Sequence, residues 1–340
     1  MRNPHYSRRP TMRDIADELG VTQATVSLVF RNKPGTSDEM RRKVLETADR
    51  LGYVRDESAR ALRSQRPTAI GVTFRTHQPF HDELLDGLYR AVSPGPHKLV
   101  LSAVSDSRQE KDAIEELISH RCGAAVILGP RITDEQLSVY SGRIPLIIVA
   151  RRSDRPEIDW VTSDDQQGMD AVVDHLVSLG HRDIAYLSSS IDASGSARID
   201  AFIQACEGRG VGEHVQVHTA GITENDGARG VEQMLAGNRR ATAVVAFNDR
   251  CALGAMEALH RRGVRIPQDI SLVGFDDSTI ASRPTIDITS VHQDTGELAR
   301  IAIERAAARM MGEEPAAGDH GQIVATRLVV RSSSGSALSS

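Results

Sequence analysis

From Ala69 onward, the chain alternates short β-rich segments with amphipathic segments of about 10–15 residues. Two parallel strands can be joined only through a crossover that is usually a helix, so this alternation is typical of a parallel α/β sheet. Seven strands with six covering helices exceed one comfortable sheet, which predicts two similar, doubly wound subdomains. The strand candidates are AIGVTF, KLVLSAV, AAVIL, LIIVA, DIAYLS, TAVVAF and DISLVGF.

The α/β pattern ends near the C-terminus of the chain. We expect the core to span residues 68–331, with crossovers between its two subdomains near residues 163 and 292. The last segment, SSSGSALSS at residues 332–340, is made almost entirely of small and polar residues. Such a composition cannot bury enough apolar surface to offset the entropy of ordering, so we predict that this tail is disordered.

Residues 11–54 have a different pattern, that of three short helices. Thr11 is a suitable N-cap for a first helix that ends at Gly20, Thr22 for a second helix and Ser37 for a third. Two short helices that meet at a glycine turn match a helix-turn-helix, whose second helix can enter the major groove of DNA. A small helical bundle without DNA contacts fits the same pattern.

Charge is unevenly divided along the chain. Residues 1–66 contain 14 Lys and Arg against 9 Asp and Glu, whereas residues 67–340 contain 27 against 37. Cations on one face release counterions from nucleic acid, so a basic segment on an acidic chain favours a polyanionic partner. A solvated basic face without a partner has the same charge balance.

Targeting signals and disulfide patterns are lacking in the sequence. The leader, MRNPHYSRRP at residues 1–10, has no apolar segment and is expected to be disordered. No apolar stretch approaches the ~18 residues that a membrane span needs. We therefore expect a cytoplasmic protein without a membrane partner. The three cysteines are far apart among apolar neighbours, which predicts buried free thiols: Cys122, Cys206 and Cys251.

Signatures of enzymes and metal sites are poor. GRGVG at residues 208–212 follows a predicted helix rather than a strand, so it does not match a dinucleotide cradle. There is no Walker A segment and no GxSxG elbow. The pairs His77 with His81 and His214 with His218 have no carboxylate or cysteine at ligand spacing. We predict no enzymatic activity, no metal and no cofactor.

Several motifs resemble one family of regulators. TMRDIADELGVTQATVSLVF, followed by TSDEMRRKVLETADRLGYV and ARALRSQRPTAIGV, resembles the head and hinge of LacI/GalR-family transcriptional regulators. HLVSLGHRDIAYLS, VVAFND, IPQDISLVGFDDS and VHQD are similar to the family's effector-binding core. The likeness runs in unbroken order over about residues 11–331. It implies a small all-α helix-turn-helix domain at 11–54, a hinge at 55–67 and a periplasmic-binding-protein-like α/β core.

This resemblance implies a sequence-specific, DNA-binding transcriptional regulator, with repression as the expected mode. A small-molecule effector, expected to be a carbohydrate, would bind between the core subdomains and set the affinity for DNA allosterically. One recognition helix covers few base pairs, so a homodimer on a palindromic operator is expected. Two other classes are alternatives. A periplasmic sugar-binding protein would need a signal peptide and no basic head, and an α/β enzyme would need a nucleophile or acid–base pair.

In the head, the resemblance places Gln23, Ala24 and Thr25 at the start of the recognition helix. Glutamine can pair with an adenine edge, and the alanine and threonine methyl groups can contact thymine methyl groups. Leu28 departs from the arginine that is common in the family, which leaves open the base pair that it faces. The remaining expected DNA contacts are Thr11, Arg13, Thr22, Ser27, Arg31, Ser37 and Arg60.

Leu62, in the segment ARAL, matches the hinge leucine that family members wedge into the minor groove. Such a wedge costs about a few kcal/mol of base unstacking, which is offset by contacts with the bent duplex. A buried core leucine is the alternative, and the polar, Arg-rich surroundings favour the wedge. Arg55 and Asp56 stand where the family usually has proline and asparagine, so we expect a hinge of different stability.

In the core, Arg198, Asn248 and Asp276 match the polar residues that hold the family's effector. This set suits a sugar, because a carboxylate accepts from vicinal hydroxyls, arginine donates in a fork and asparagine does both. Asp276 also fits a turn cap. Ala150 replaces a frequent acidic residue, and Ile222 stands near a stacking aromatic of some members, which leaves the ligand open. Further effector contacts are expected at Arg151 and at two phenylalanines that fit a buried core almost as well, Phe74 and Phe80.

Overall fold

The computed structural model describes residues 10–30, 33–53, 67–189, 193–237, 239–316 and 318–337. The chain divides into two units, residues 1–65 and 66–340, and each is treated by itself. Within the described ranges, every helix is too short or too polar to cross a bilayer. Some expected sites lie outside the described residues: the leader up to residue 9, the hinge up to residue 66, and Arg31, Arg60 and Leu62.

The first unit has three helices within its described residues. The first begins at a capping box in which Thr11 Oγ1 accepts from the Asp14 backbone N–H and Thr11 N donates to the Asp14 carboxylate. It ends at Gly20, whose φ of 62° is a left-handed cap that glycine adopts without strain. The helices are α1 (Met12–Leu19), α2 (Gln23–Phe30) and α3 (Asp38–Leu51).

These helices enclose a small apolar core. Arg41 joins α3 to the end of α2, since its guanidinium donates to the backbone carbonyls of Val29 (3.3 Å) and Lys33 (3.2 Å). Arg50 of α3 forms an ion pair with Glu18 of α1. One face of each helix is therefore used for packing, and the first turn of α2 is exposed at Gln23 and Ala24. The buried side chains are Ile15, Ala16, Val26, Val29, Val44 and Ala48.

The first subdomain of the second unit is built on a six-stranded sheet whose strands are all parallel. Its strands, in spatial order, are β11 (Gly321–Val324), β5 (Ile158–Ser163), β4 (Leu146–Val149), β3 (Ala124–Leu128), β1 (Ala69–Arg75) and β2 (Lys98–Val104). Its helices are α4 (Pro79–Val92), α5 (Glu110–Ser119), α6 (Asp134–Ser141) and α11 (Thr295–Met310).

The second subdomain repeats this arrangement with six strands, of which only β12 is antiparallel to its neighbour. The strands, in spatial order, are β12 (Thr326–Val329), β10 (Thr289–Gln293), β9 (Ser271–Asp276), β8 (Ala243–Ala246), β6 (Ile184–Ser188) and β7 (Gln216–Thr219). The helices are α7 (Asp165–Ser178), α8 (Ala193–Gly208), α9 (Glu224–Ala236) and α10 (Asp249–Arg261), with a 3₁₀ turn at Gly212–His214.

Helices cover both faces of each sheet, so the central strands are apolar at nearly every position. Strands β3, β4, β6 and β8 are buried along their whole length. The predicted fold class is thus confirmed: a small all-α domain precedes an α/β core of two doubly wound subdomains.

The chain passes between the two sheets three times, after β5, after β10 and after β11. The helix–strand pattern predicts the passages near residues 163 and 292 but not the one at Ala325. Strands β11 and β12 have only four residues each and are separated by this single residue. They therefore interrupt the helix–strand alternation on which the analysis relied.

The prediction of a disordered tail at 332–340 is wrong for its described residues, 332–337. The Ser333 Oγ donates to the Leu272 carbonyl (2.6 Å) and accepts from the Thr289 backbone N–H (2.8 Å), and Ser333 is buried. The small polar side chains that suggested disorder instead satisfy buried backbone groups of β9 and β10.

Helices α9 and α10 pack so closely that their backbones touch at two glycines. A Cβ atom built on Gly254 would lie 1.8 Å from the Glu224 carbonyl oxygen, and one on Gly227 would lie 1.9 Å from the Cys251 carbonyl oxygen. Backbone atoms cannot give way as a flexible side chain can. Only glycine allows this approach of the two helices.

We predict that Gly254→Ala lowers the free energy of unfolding by roughly 1–3 kcal/mol or more, because the added methyl group forces α9 and α10 apart. The matched control is Gly208→Ala, which adds the same methyl group at the end of α8, where no atom lies within 4 Å. Urea denaturation followed by circular dichroism measures both. Equal unfolding midpoints for the two variants would contradict the close contact.

Candidate functional site

A cavity of about 570 Å³, open to solvent, lies between the two subdomains, at the carboxyl ends of their parallel strands. This is where open α/β sheets bind ligands. The first subdomain contributes Arg75, Gln78, Phe80, His81, Gly129, Arg131 and Ala150, and the second contributes Arg198, Ile222, Phe247, Asn248, Asp276 and Gln293.

Arg198 is held firmly in the wall of this cavity. Its Nε donates to Asp165 Oδ1 (3.0 Å) and its Nη1 donates to the Phe247 carbonyl (2.8 Å). The guanidinium carbon lies 3.6 Å from the centre of the Phe275 ring, a cation–π contact. Its Nη2 has no hydrogen-bond partner within the described part of the chain. This buried side chain is therefore preorganised, with one nitrogen left to donate to a ligand.

Asn248 connects three parts of the second subdomain. It is the N-cap of α10, where its Oδ1 accepts from the Cys251 backbone N–H (2.8 Å). Its Nδ2 donates to the Ile222 carbonyl (3.3 Å), which fixes the loop that carries this apolar side chain into the cavity. A side-chain amide has two N–H groups and two lone pairs, so one of each remains for a ligand.

Asp276 ends β9 in a strained backbone conformation. Its φ is 113° and that of Asp277 is 53°, values that non-glycine residues rarely adopt. Such strain is found most often at functional sites. The Asp276 Oδ1 accepts from Gln293 Nε2 (2.7 Å), and within the described residues its carboxylate receives no backbone N–H. These contacts argue against the turn-cap alternative.

A second carboxyl, that of Asp249, is buried nearby. Its Oδ2 accepts from the backbone N–H (2.7 Å) and the hydroxyl (2.8 Å) of Ser278, and its Oδ1 accepts from Ser290 Oγ (2.6 Å). Burial raises the pKa of Asp249 to about 7. Burial and this neighbour raise the pKa of Asp276 well above its ordinary value. The sequence alone does not distinguish Asp249, because an acidic residue in the first turn of a helix is common.

On the opposite wall, His81 is buried and neutral. Its Nδ1 accepts from the Arg75 backbone N–H (3.0 Å), which places the ring proton on Nε2. Burial, together with the charges of Arg75 and Arg131, lowers the pKa of His81 to about 3. A Cβ on Gly129 would lie 3.0 Å from Nε2, and the φ of Gly129 is 51°. Because Gly129 has no side chain, there is room for His81 Nε2 beside it at the cavity.

Two predicted effector contacts do not line the cavity. Phe74 packs against the apolar core of the first subdomain, because it precedes Arg75 on β1 and neighbouring side chains of a strand point to opposite faces. Arg151 is buried, and its Nη1 pairs with Asp134 Oδ1 at 2.7 Å. A buried guanidinium requires such a partner, so Arg151 stabilises the loop after β4 instead.

Four of the predicted effector contacts, Phe80, Arg198, Asn248 and Asp276, line the cavity. Three further polar residues of the lining, which stand at or shortly after the end of a strand, were not predicted. That position was a usable signal, because the carboxyl ends of parallel strands share one edge of a sheet. The missed residues of this kind are Arg75, Arg131 and Gln293.

The proposed reading helix, α2, exposes its first turn. Gln23 and Ala24 are exposed, and Thr25 is partly exposed. The Thr22 hydroxyl accepts from the Thr25 backbone N–H (3.2 Å), so it caps the helix. Ser27 and Leu28 are half-buried further along the helix. Gln23 is thus an exposed amide at the entry of the helix, as base reading requires.

The other described candidates for DNA contact begin helices. Thr11 and Ser37 use their hydroxyls as caps of α1 and α3, where they accept from the Asp14 and Met40 backbone N–H groups. Arg13 is exposed, and its Nε lies 3.9 Å from Asp17, a weak surface pair. Its guanidinium therefore remains accessible to a phosphate.

Two family profiles match the chain. "Bacterial regulatory proteins, lacI family" matches residues 11–56, and "Periplasmic binding protein-like domain" matches residues 173–334. The HTH-type transcriptional regulator GalR of Escherichia coli K12 is 31% identical over 303 residues, which are 88% of this chain and 88% of the relative. The chain belongs to the LacI family. Its expected identity as a DNA-binding transcriptional regulator is confirmed by this membership.

Solved LacI-family structures have the same architecture. A LacI transcriptional regulator from a Rhodococcus species is 38% identical, with a TM-score of 0.76 over 79% of this chain and 99% of that one. The lac repressor dimer bound to operator and the anti-inducer ONPF has a TM-score of 0.84 at 24% identity, over 97% of this chain and 100% of that one. This second likeness shows that the fold extends over nearly the whole chain.

The neutral state of His81 predicts a pH dependence of stability. In the folded protein His81 stays neutral down to a pH of about 3, whereas in the unfolded chain its imidazole becomes protonated below a pH of about 6.5. The contribution of His81 to the free energy of unfolding is therefore fully present above about pH 6.5. It decreases by up to ~1.4 kcal/mol per pH unit as the pH falls toward 3.

His81→Asn tests this dependence, since the amide oxygen can accept from Arg75 N but does not titrate. We expect the free energy of unfolding, measured by urea titration at several pH values, to decrease less steeply on acidification in the variant. Other buried histidines titrate in both proteins, so the difference between the two slopes isolates His81. Parallel slopes would show that His81 is protonated in the folded state.

Proposed function

We propose that this LacI-family protein represses transcription from a palindromic operator as a homodimer, and that a carbohydrate-like effector in the cavity controls its affinity for DNA. The observation that carries the effector role is the convergence of Arg198, Asn248 and Asp276 at one wall. All three are buried but keep polar atoms directed to the cavity. Donors and acceptors held in this way suit vicinal hydroxyl groups.

The DNA-binding role is supported by the two faces of α2, one buried and one exposed. Val26 and Val29 are buried in the core of the first unit, while Gln23 and Ala24 are exposed at the entry of the helix. One such helix reads only a few base pairs, so useful specificity requires two copies. A two-fold pair of first units would read two half-sites of opposite orientation, which is a palindrome.

Coupling between effector and DNA requires that the two subdomains move. They are joined by three chain passages, and the contacts between them among the described residues include two made by side chains across the cleft. Glu83 Oε1 accepts from the Thr279 backbone N–H (2.9 Å), and Arg250 Nη1 donates to the His77 carbonyl (2.5 Å). An effector that touches both walls competes with or reinforces these contacts. It acts through its unequal affinity for the two arrangements, typically about 1–3 kcal/mol.

We predict that Gln23→Ala weakens binding to the operator by roughly 1–3 kcal/mol, mostly at one base pair. The operator is first obtained by selection from random DNA, and affinities are then measured for each single-base variant. The exposed side chain carries no core contact, so the melting temperature should not change and serves as the control. A uniform loss over all base variants would identify Gln23 as a backbone contact.

A second prediction concerns the effector response. Asp276→Asn keeps the shape of the side chain and tolerates a positive φ, but it removes the carboxylate. The variant should bind the operator as the wild type does, yet lose the change in DNA affinity caused by the effector. The effector is identified beforehand by thermal-shift screening against a carbohydrate panel.

The neighbouring Asp277→Asn is the matched control. Asp277 pairs with Arg331 (2.5 Å) and His292 (2.9 Å) and does not line the cavity, so its replacement should lower stability and preserve the response. Operator titrations with and without effector compare both variants. An Asp276→Asn protein that responds normally would place the effector elsewhere.

A further inference from the structure

Arg250 forms hydrogen bonds with both subdomains. Its Nε donates to Glu224 Oε1 (2.8 Å) and its Nη2 donates to Glu224 Oε2, so the guanidinium and the carboxylate form a fork within the second subdomain. The other terminal nitrogen, Nη1, donates across the cleft to the His77 carbonyl (2.5 Å). Only 16% of the Arg250 side chain is exposed, so this is not a fully solvated surface contact of little energy.

The three partners lie close to the cavity along the chain. Arg250 comes two residues after Asn248, and Glu224 comes two residues after Ile222, and both Asn248 and Ile222 line the cavity. The residue that follows His77 lines the cavity from the first subdomain. A movement of one wall relative to the other therefore changes the distance between the Arg250 guanidinium and the His77 carbonyl.

On the first subdomain, the accepting carbonyl belongs to a strained turn. His77 has a φ of 58°, which residues with a side chain rarely adopt. It lies between the end of β1 and the start of α4, where the Thr76 backbone N–H donates to the Val104 carbonyl (3.1 Å). A strained conformation persists only where its surroundings hold it. The hydrogen bond from Arg250 is one of the contacts that hold this turn.

On the second subdomain, the donor belongs to a rigid pair of helices. The backbones of α9 and α10 touch at two glycines, so neither helix can shift without the other. Glu224 is the first residue of α9 and Arg250 the second residue of α10. The fork between them therefore moves as one body with this wall of the cavity, and its carboxylate keeps the guanidinium directed at the cleft.

We propose that the hydrogen bond between Arg250 and His77 is a latch that joins the two subdomains, and that Glu224 is its positioning residue. The contact between Glu83 and Thr279 adds to the latch from the same helix, α4. The latch sets the proportion of molecules with joined and with released subdomains before any ligand binds. This inference adds regulation to the proposed function, but the latch itself does not depend on an effector.

The test measures the separation of the subdomains in the full-length protein by pulsed electron paramagnetic resonance. Spin labels are attached at Val139→Cys on α6 and Gln233→Cys on α9, both exposed positions. The labelled chain is diluted with unlabelled protein, so that only distances within one chain are measured. The three native cysteines are buried, and protein without the added cysteines gives the background.

Arg250→Gln removes the fork and is too short to reach across the cleft. We expect a second distance population that is at least about tenfold larger than in the wild type, because a hydrogen bond from a charged donor shifts an equilibrium by about this factor. The matched control is Arg262→Gln. Arg262 forms the same kind of fork between α10 and α9, with Glu232, and makes no hydrogen bond to the first subdomain within the described residues. Its replacement should leave the distances unchanged.

Glu224→Gln keeps the donor but weakens the fork that directs it, so its second population should lie between those of the wild type and Arg250→Gln. The latch is overturned if Arg250→Gln has the wild-type distances, or if Arg262→Gln changes as much. Wild-type distances in Glu224→Gln would overturn the positioning role. Circular dichroism checks that each variant is folded, and if Arg250→Gln is not, the comparison of Glu224→Gln with Arg262→Gln decides.

Operator titrations without any ligand separate this inference from the proposed function. If Arg250→Gln releases the subdomains and also changes the affinity for the operator, both the latch and its coupling to DNA are supported. A variant that releases the subdomains but binds the operator as the wild type does would support the latch and contradict control of DNA binding through the cleft.

Discussion

Parallel strand pairing is the constraint on which the second unit depends. A parallel strand can be followed by another only through a crossover, so helices cover both faces of each sheet and leave only its edges to irregular chain. The parallel strands of both sheets end at the cleft, and the residues that follow them no longer take part in strand pairing. Large polar side chains are costly to bury in the middle of these strands, so they occur at the carboxyl ends, as Arg75 and Gln293 do. The cavity is a direct product of the topology.

Much of the architecture was predictable from binary pattern and capping chemistry, because these signals are local. Thr11 and Gly20 marked the ends of α1, and unbroken apolar runs marked the buried strands. Long-range information was not readable in the same way. Ser333 looks like part of a polar tail until the unpaired backbone groups of Leu272 and Thr289 are known. The crossing at Ala325 depends on two strands too short to show a period.

The site shows the same limit. Resemblance to a family pointed to Arg198, Asn248 and Asp276, since they follow recognisable motifs, and all three line the cavity. The same resemblance pointed to Arg151, which does not line the cavity because its guanidinium pairs with Asp134, a contact that only the structure shows. It also gave no account of charge balance, which depends on what lies behind each wall. Asp249, buried and satisfied by two serines, adds to the effect of burial in raising the pKa of Asp276 without lining the cavity.

The threefold passage of the chain has an evolutionary consequence. The second subdomain is assembled from two separate stretches of sequence, roughly residues 164–294 and 325–337, and the first from the stretches around them. Recombination at one point of a gene cannot exchange one wall of the cleft for that of another regulator without breaking a sheet. Point substitution at strand ends changes the lining of the cleft without breaking either sheet, because the side chains there lie outside the packed interior of the sheets.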